Sequence, residues 1–324
     1  MRILLLFLDM IRPNLMQLAQ GEVEETVLDQ RLRELGGIFY KKAYIPAPDT
    51  PRGLAAIYTG HPPGVNGCDS RIKWPKYFLR SPHIFAQAKS AGLDIHGFAY
   101  TLKQKTGIFP ADMSELGKVN HWFDFNEFLQ LLPDKSDQLV FVDCSDFHTA
   151  LDDEGYNSQG FSRGMDEVAY FFDWLFKVHP ADSWDHIFIF SDHGFKFSVE
   201  IRNQSKMLLL NNDRINILLH HRQKGDQGLE SSNRLTSGMD IHASILEYLQ
   251  LDEPTQGVQG HLGVARDHRT LDHRPAGLGG AADPAPIGDA GVGGRTSDGG
   301  GRLDAIEVGI GSASAAGGIS KCPS

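Results

Sequence analysis

The chain has 324 residues, enough for one large α/β domain or two smaller ones with a sizeable buried core. Its formal charge of −10, from 41 acidic and 31 basic residues, argues against the basic face that a general nucleic-acid binder needs; an anionic substrate stays open, because a bound metal inverts the charge of a local site. The last aromatic residue is Tyr248, and 14 of the 35 glycines fall in the 50 residues from Pro275 to Ser324, so residues 266–324 are expected to form a Gly-rich, low-complexity, disordered tail and residues 1–265 the folded, working domain.

In chain order, Ile3–Leu8 is a continuous apolar run that stops at Asp9 with no small-residue cleavage site after it. It therefore reads as a strand buried on both faces rather than a leader. Glu22–Leu35 has the apolar spacing of a helix, ended by Gly36-Gly37. Ile38–Tyr44 is the next expected strand, and Pro51–Thr59 a short helix with Pro at its first position. Ser81–Ser90 is expected to be helical, Leu93–Tyr100 a strand, Asn126–Leu132 a helix and Gln138–Val142 a strand. Met165–Val178 reads as an aromatic-rich helix, His186–Phe190 and Ile215–Leu219 as strands, and Asp240–Leu251 as a helix. The alternation predicts an α/β fold, a mostly parallel central sheet between helix layers. No apolar run reaches the roughly 18–20 residues of a membrane span. Three cysteines (Cys68, Cys144, Cys322) are too few for a disulfide framework, so a reduced, cytoplasmic setting is expected.

Open α/β sheets place their sites beyond the carboxyl ends of the strands. Three expected strands end in metal-ligand chemistry: Asp9; then Asp143 with Asp146 and His148; then Asp192 with His193. One such acid is ordinarily a turn or cap residue, whereas three ends on one sheet form a constellation. Thr50 lies just ahead of a Pro-initiated helix, where it is either a plain N-cap or a hydroxyl placed where an anion is favoured. Arg52 either faces that anion as a planar donor or is a solvated helix residue.

Four stretches carry a family resemblance: Leu6-Phe7-Leu8-Asp9-Met10-Ile11-Arg12; Asp49-Thr50-Pro51-Arg52-Gly53-Leu54 running on to Thr59-Gly60; Val142-Asp143-Cys144-Ser145-Asp146-Phe147-His148; and Ser191-Asp192-His193-Gly194 after an apolar strand. Together they resemble the sulfatase branch of the alkaline phosphatase superfamily, over roughly residues 3–255. The resemblance implies that Asp9, Asp192 and His193 bind one divalent ion (Zn, Mn, Ca or Mg), with Thr50 as nucleophile and a ligand of that ion. It implies that His148 touches the substrate's anionic group. Asp143 and Asp146 are left as second-metal or substrate residues, their spacing differing from the Asp-x-x-x-His of two-metal relatives.

Departures from the family are informative. Sulfatases convert a Cys or Ser to formylglycine within Cys/Ser-x-Pro-Ser-Arg; Thr50 cannot be converted, and Leu54 stands at the Arg position. Related nucleotide pyrophosphatases and phosphodiesterases use an unmodified Thr at this offset, which shifts the expectation toward phosphate esters. Met10 stands where many sulfatases have a second Asp. The expected partner is a small anionic ester, with a carbohydrate-linked leaving group as one option and no nucleic acid. The alternative is a catalytically impaired member that keeps the metal-binding sheet without turnover, since the family's smaller C-terminal subdomain has no visible counterpart. Gly194 is expected to let the backbone turn sharply beneath the ion. His220 and His221 are expected at the surface or as satisfied histidines.

Overall fold

The computed structural model describes residues 1–21, 25–69, 78–99, 110, 113, 137–144, 151, 154–155, 158–195 and 212–251. Asp146, His148, the expected helix Asn126–Leu132 and the expected tail 266–324 lie outside them. The described strands are β1 (Arg2–Phe7), β2 (Gly37–Tyr44), β3 (Asp94–Ala99), β4 (Gln138–Asp143), β5 (His186–Phe190), β6 (Asn216–Ile217), β7 (Leu219–Gln223) and β8 (Leu229–Ser237). They form one sheet in the order β3-β4-β1-β5-β7-β2-β6, with β8 also paired to β2. The pairs β3–β4, β4–β1, β1–β5 and β2–β8 are parallel, and β7 and β6 run against their neighbours. The mostly parallel α/β sheet read from the sequence is the one observed.

Five helices of the described residues cover the two faces: α1 (Val27–Leu35), α2 (Thr50–Thr59), α3 (Ile84–Ser90), α4 (Gln159–Val178) and α5 (Asp240–Tyr248). Alternation along β1 splits the core. Leu4 and Leu6 join Val140, Val142, Ile187 and Ile189 beneath α1 and α4, which contribute Leu28, Leu32, Val168 and Phe172. Ile3, Leu5 and Phe7 join Phe141, Phe188 and Phe190 on the other face, beneath Leu54, Ile57 and Tyr58 of α2, Phe85 of α3 and Ile241 and Ile245 of α5. α1 begins at a capping box in which Thr26 and Asp29 each bond the other's backbone N–H, and ends at Gly36 with φ of 75°.

Two regions differ from expectation. Residues 215–219 are not one strand: a helical turn, Asn212–Ile215, leads into the two-residue β6, and the next strand starts at Leu219. β7 reads Leu-His-His-Arg-Gln, a polar sequence that no apolar pattern marks, yet it is buried between β5 and β2. His220 and His221 are accordingly buried rather than at the surface. His220 bonds the Gly36 carbonyl oxygen through Nε2 at 2.8 Å, and burial pushes its pKa down to about 4. The His221 ring stacks on Phe188 at 4.5 Å. β8 escaped detection because it lies mostly exposed with a polar sequence. No helix of the described residues is long and apolar enough to cross a membrane.

Candidate metal centre and nucleophile

The site is built at the carboxyl ends of three neighbouring strands. On the α2 face, Phe7, Phe141 and Phe190 pack their rings together, with centroids 5.9 Å apart for Phe7–Phe141 and Phe7–Phe190. Two residues beyond each phenylalanine stands an aspartate: Asp9, Asp143 and Asp192. The two-residue period of β4 puts Asp143 on the face of Phe141, while Asp9 and Asp192 stand in the turns just past the ends of β1 and β5. Register then separates them. Phe7 is level with Phe190, so Asp9 and Asp192 continue side by side; Asp143 is level with Phe7 and stops one pleat short of Asp9, roughly 7 Å along the strand direction. Asp143 is buried at its strand end and does not join the cluster that Asp9 and Asp192 form with His193.

In that cluster, one potential ligand atom from each of Asp9, Asp192 and His193 lies within 4.8 Å of the others, and all three residues are buried. His193 Nε2 is 3.6 Å from Asp9 Oδ1 and 3.6 Å from Asp192 Oδ2. Two ligands about 2.1 Å from one tetrahedral ion stand roughly 3.4 Å apart, so these spacings suit a shared cation. Asp192 is buried with the Thr50 hydroxyl as a side-chain partner, and its Oδ1 accepts the His193 N–H at 2.9 Å and the Met10 N–H at 3.4 Å. Met10 reaches that position by adopting a left-handed φ of 68°, rare for a residue with a side chain. His193 Nδ1 lies 2.9 Å from the Gly194 carbonyl oxygen, which can only accept, so Nδ1 carries the ring proton and Nε2 presents its lone pair to the cluster. Two carboxylates and one imidazole are a donor set suited to Zn²⁺ or Mn²⁺, and the residues fit a divalent ion.

Thr50 sits at the edge of this cluster, its Oγ1 3.3 Å from His193 Nε2. Its plain capping role is taken by Asp49, the true N-cap of α2, whose Oδ1 accepts the Arg52 backbone N–H. α2 approaches so closely because residue 53 is glycine: a Cβ there would lie 2.2 Å from the Asp192 carbonyl oxygen. Gly53→Ala is therefore expected to cost about 1–3 kcal/mol and to displace Thr50 from His193. Thermal unfolding with metal titration checks this; an unchanged midpoint and metal affinity would contradict it. Gly194, whose φ is not positive, is needed for the same reason. A Cβ there would lie 2.2 Å from the Asp213 carbonyl oxygen, and its N–H bonds the Arg214 carbonyl at 2.8 Å. Ser191 completes the scaffold, its hydroxyl donating to the Ile11 carbonyl and accepting the Leu218 N–H. Arg52 turns its side chain onto Asp49. These packing roles of Asp49, Gly53 and Ser191 carried no sequence signal beyond the small or capping residue type.

Burial first, and the Asp9 charge second, push the Asp192 carboxyl well above the ordinary carboxylate range. Burial lowers the pKa of His193, against the opposing pull of Asp9, and so favours the neutral ring. The folded chain thus holds the Asp192 proton more tightly than the unfolded chain, and this group loses stability as pH rises above about 4. His193 acts in the opposite sense, gaining stability as pH rises toward about 6.5. A bound cation must displace the carboxyl proton, so Mn²⁺ is expected to raise the thermal midpoint more at about pH 7.5 than at about pH 5.5. Equal stabilisation at both values would argue against binding through Asp192.

No protein-family model matches the sequence, and no curated protein matches it. Solved structures do match. The phosphonate monoester hydrolase of Agrobacterium radiobacter aligns with a TM-score of 0.55 at 14% identity, covering 78% of this chain and 74% of that one. A protein of the glycosaminoglycan-metabolism locus of Bacteroides thetaiotaomicron aligns at 0.61 and 11% identity, covering 82% of each chain. A 2-O glycosaminoglycan sulfatase aligns at 0.54 and 12% identity, covering 79% and 72%. The fold is therefore the sulfatase-like fold of the alkaline phosphatase superfamily.

Proposed function

We propose that residues 1–265 form a metal-dependent hydrolase or transferase of phosphate or sulfate esters in which Thr50 is the nucleophile. The observation that carries this reading is the Thr50 hydroxyl, 3.3 Å from the bare Nε2 of His193 at the edge of a buried carboxylate–imidazole cluster. One divalent ion held by Asp9, Asp192, His193 and Thr50 would acidify a hydroxyl and neutralise an oxygen of the ester. Thr50 Oγ1 forms the new bond to phosphorus as the ester oxygen leaves on the opposite side. Water or a second alcohol then takes the phosphoryl group from the threonine. The N-terminus of α2 favours the anion at this position. His148 is proposed to protonate the leaving group, and Asp143 and Asp146, from the same stretch of sequence, are kept as second-metal or substrate residues.

A threonine cannot become formylglycine, which favours phosphate monoesters or diesters over sulfates. The glycosaminoglycan relations of similar folds make a carbohydrate-linked leaving group the first choice for substrate trials. The test is hydrolysis of aryl phosphate, aryl phosphodiester and aryl sulfate with added Mn²⁺, Zn²⁺, Mg²⁺ or Ca²⁺. No turnover of any ester overturns the reading and favours a second one, a metal-binding protein without turnover. The observation behind that second reading is Leu54, fully buried in the core where a family member would present arginine.

A further inference from the structure

Residues 190–193, at the end of β5, meet residues 8–11, just past the end of β1, and both stretches are buried. The Phe190 carbonyl oxygen accepts the Leu8 N–H at 2.8 Å and continues the strand ladder. Asp192 Oδ1 accepts the Met10 N–H at 3.4 Å, and His193 Nε2 stands 3.6 Å from Asp9 Oδ1. The remaining contact is the Ser191 hydroxyl, which donates to the Ile11 carbonyl oxygen. Ser191 thus ties the turn carrying Asp9 to β5 without offering an atom to the ion. That turn needs support from outside itself: Met10, between Asp9 and the Ile11 anchor, holds a left-handed φ of 68°, disfavoured for a residue with a side chain. Ser191 Oγ also accepts the Leu218 N–H at 2.9 Å, while the same N–H lies 3.1 Å from the Ile11 carbonyl oxygen. Removing the hydroxyl therefore leaves both backbone groups with a partner.

Resting on the metal site proposed above, we infer that Ser191 is a positioning residue of that site: its hydroxyl fixes the left-handed turn after β1 and so holds Asp9 opposite Asp192 and His193. Ligands fixed before the ion arrives lose little freedom when it binds. Without the hydroxyl the turn at Met10 relaxes toward commoner backbone angles, and Asp9 has to be drawn back at each binding event. The fold itself suffers little, because the Leu218 N–H still reaches the Ile11 carbonyl and the Ser191 N–H still donates to the Leu218 carbonyl at 3.1 Å. The hydroxyl therefore acts on ion affinity more than on stability.

The test uses the full chain and measures Mn²⁺ binding to the folded protein by calorimetry, beside thermal unfolding without metal. Ser191→Ala is expected to weaken Mn²⁺ binding by about 10–100-fold. Its metal-free thermal midpoint is expected to fall by no more than about 5 °C. Ser191→Thr keeps a hydroxyl on the same carbon and is expected to bind Mn²⁺ nearly as tightly as the parent. Ser191→Cys, close in size but a poorer donor, is expected to fall between the two and gives the reading should the alanine variant not fold. Parent-like Mn²⁺ affinity in Ser191→Ala would overturn the inference, whatever happens to the thermal midpoint, since the residue would then serve the scaffold alone. An equal loss in Ser191→Ala and Ser191→Thr would also overturn it, because packing and not the hydroxyl would set the affinity. Either outcome leaves the proposed function standing. A parent protein that binds no Mn²⁺ would overturn both.

Discussion

Replacing Thr50 by alanine is expected to lower turnover of an aryl phosphate or phosphodiester by at least about a thousandfold, while metal affinity falls far less and the fold is kept. The physical reason is that the substitution removes the only group proposed to form a bond with phosphorus. Structurally it is mild: Asp49, not Thr50, caps α2, and the methyl of alanine fits where the threonine Cβ already stands. Thr50→Ser keeps a hydroxyl at the same position and is expected to retain part of the activity. Trapping a phosphorylated Thr50 by mass spectrometry after rapid quench is the direct check. Turnover that survives Thr50→Ala, of phosphate or of sulfate, would remove Thr50 from the mechanism and move the nucleophile to water.

Asp192→Asn is expected to have opposite effects on binding and on stability. Losing one carboxylate of the cluster should weaken divalent-ion binding by more than about a hundredfold, since even groups that merely orient ligands are worth 10–100-fold. The same change should stabilise the metal-free protein by roughly 0.5–2 kcal/mol at neutral pH. Asp192 is fully buried beside Asp9, and both burial and the neighbouring charge oppose its ionised form. An amide keeps the shape, carries no charge, and brings a donor toward His193 Nε2, 3.6 Å from the present Oδ2. A higher thermal midpoint without metal, joined to a vanished Mn²⁺-dependent shift, is the expected pair of results. A lower midpoint without metal would mean that Asp192 serves the scaffold rather than a cation.

Much of this molecule is legible along the chain because some of its signals are local. The runs Ile3–Leu8, Gln138–Val142 and His186–Phe190 have to be strands covered on both faces, and each is followed within a few residues by a carboxylate. Their parallel alternation with amphipathic helices was enough to define the sheet between two helix layers, and Asp9, Asp192 and His193 stood out as ligand-type residues at strand ends. Three-dimensional pairing decided the rest, because it depends on contacts between separate segments of the chain. The register of β1 against β4 holds Asp143 one pleat short of Asp9, a fact that no spacing within either strand contains. β7 is a buried strand of histidines and arginine whose burial comes from its neighbours and not from its own polarity. Gly53 and Gly194 are required by backbone segments pressed against them from elsewhere in the fold, and Arg52 is directed by Asp49 rather than by solvent. The sequence by itself determined the α/β class and the residue types of the candidate site. Only the tertiary structure decided which of those residues meet, since strand register and close backbone contact are properties of pairs of segments and leave no periodicity in either one.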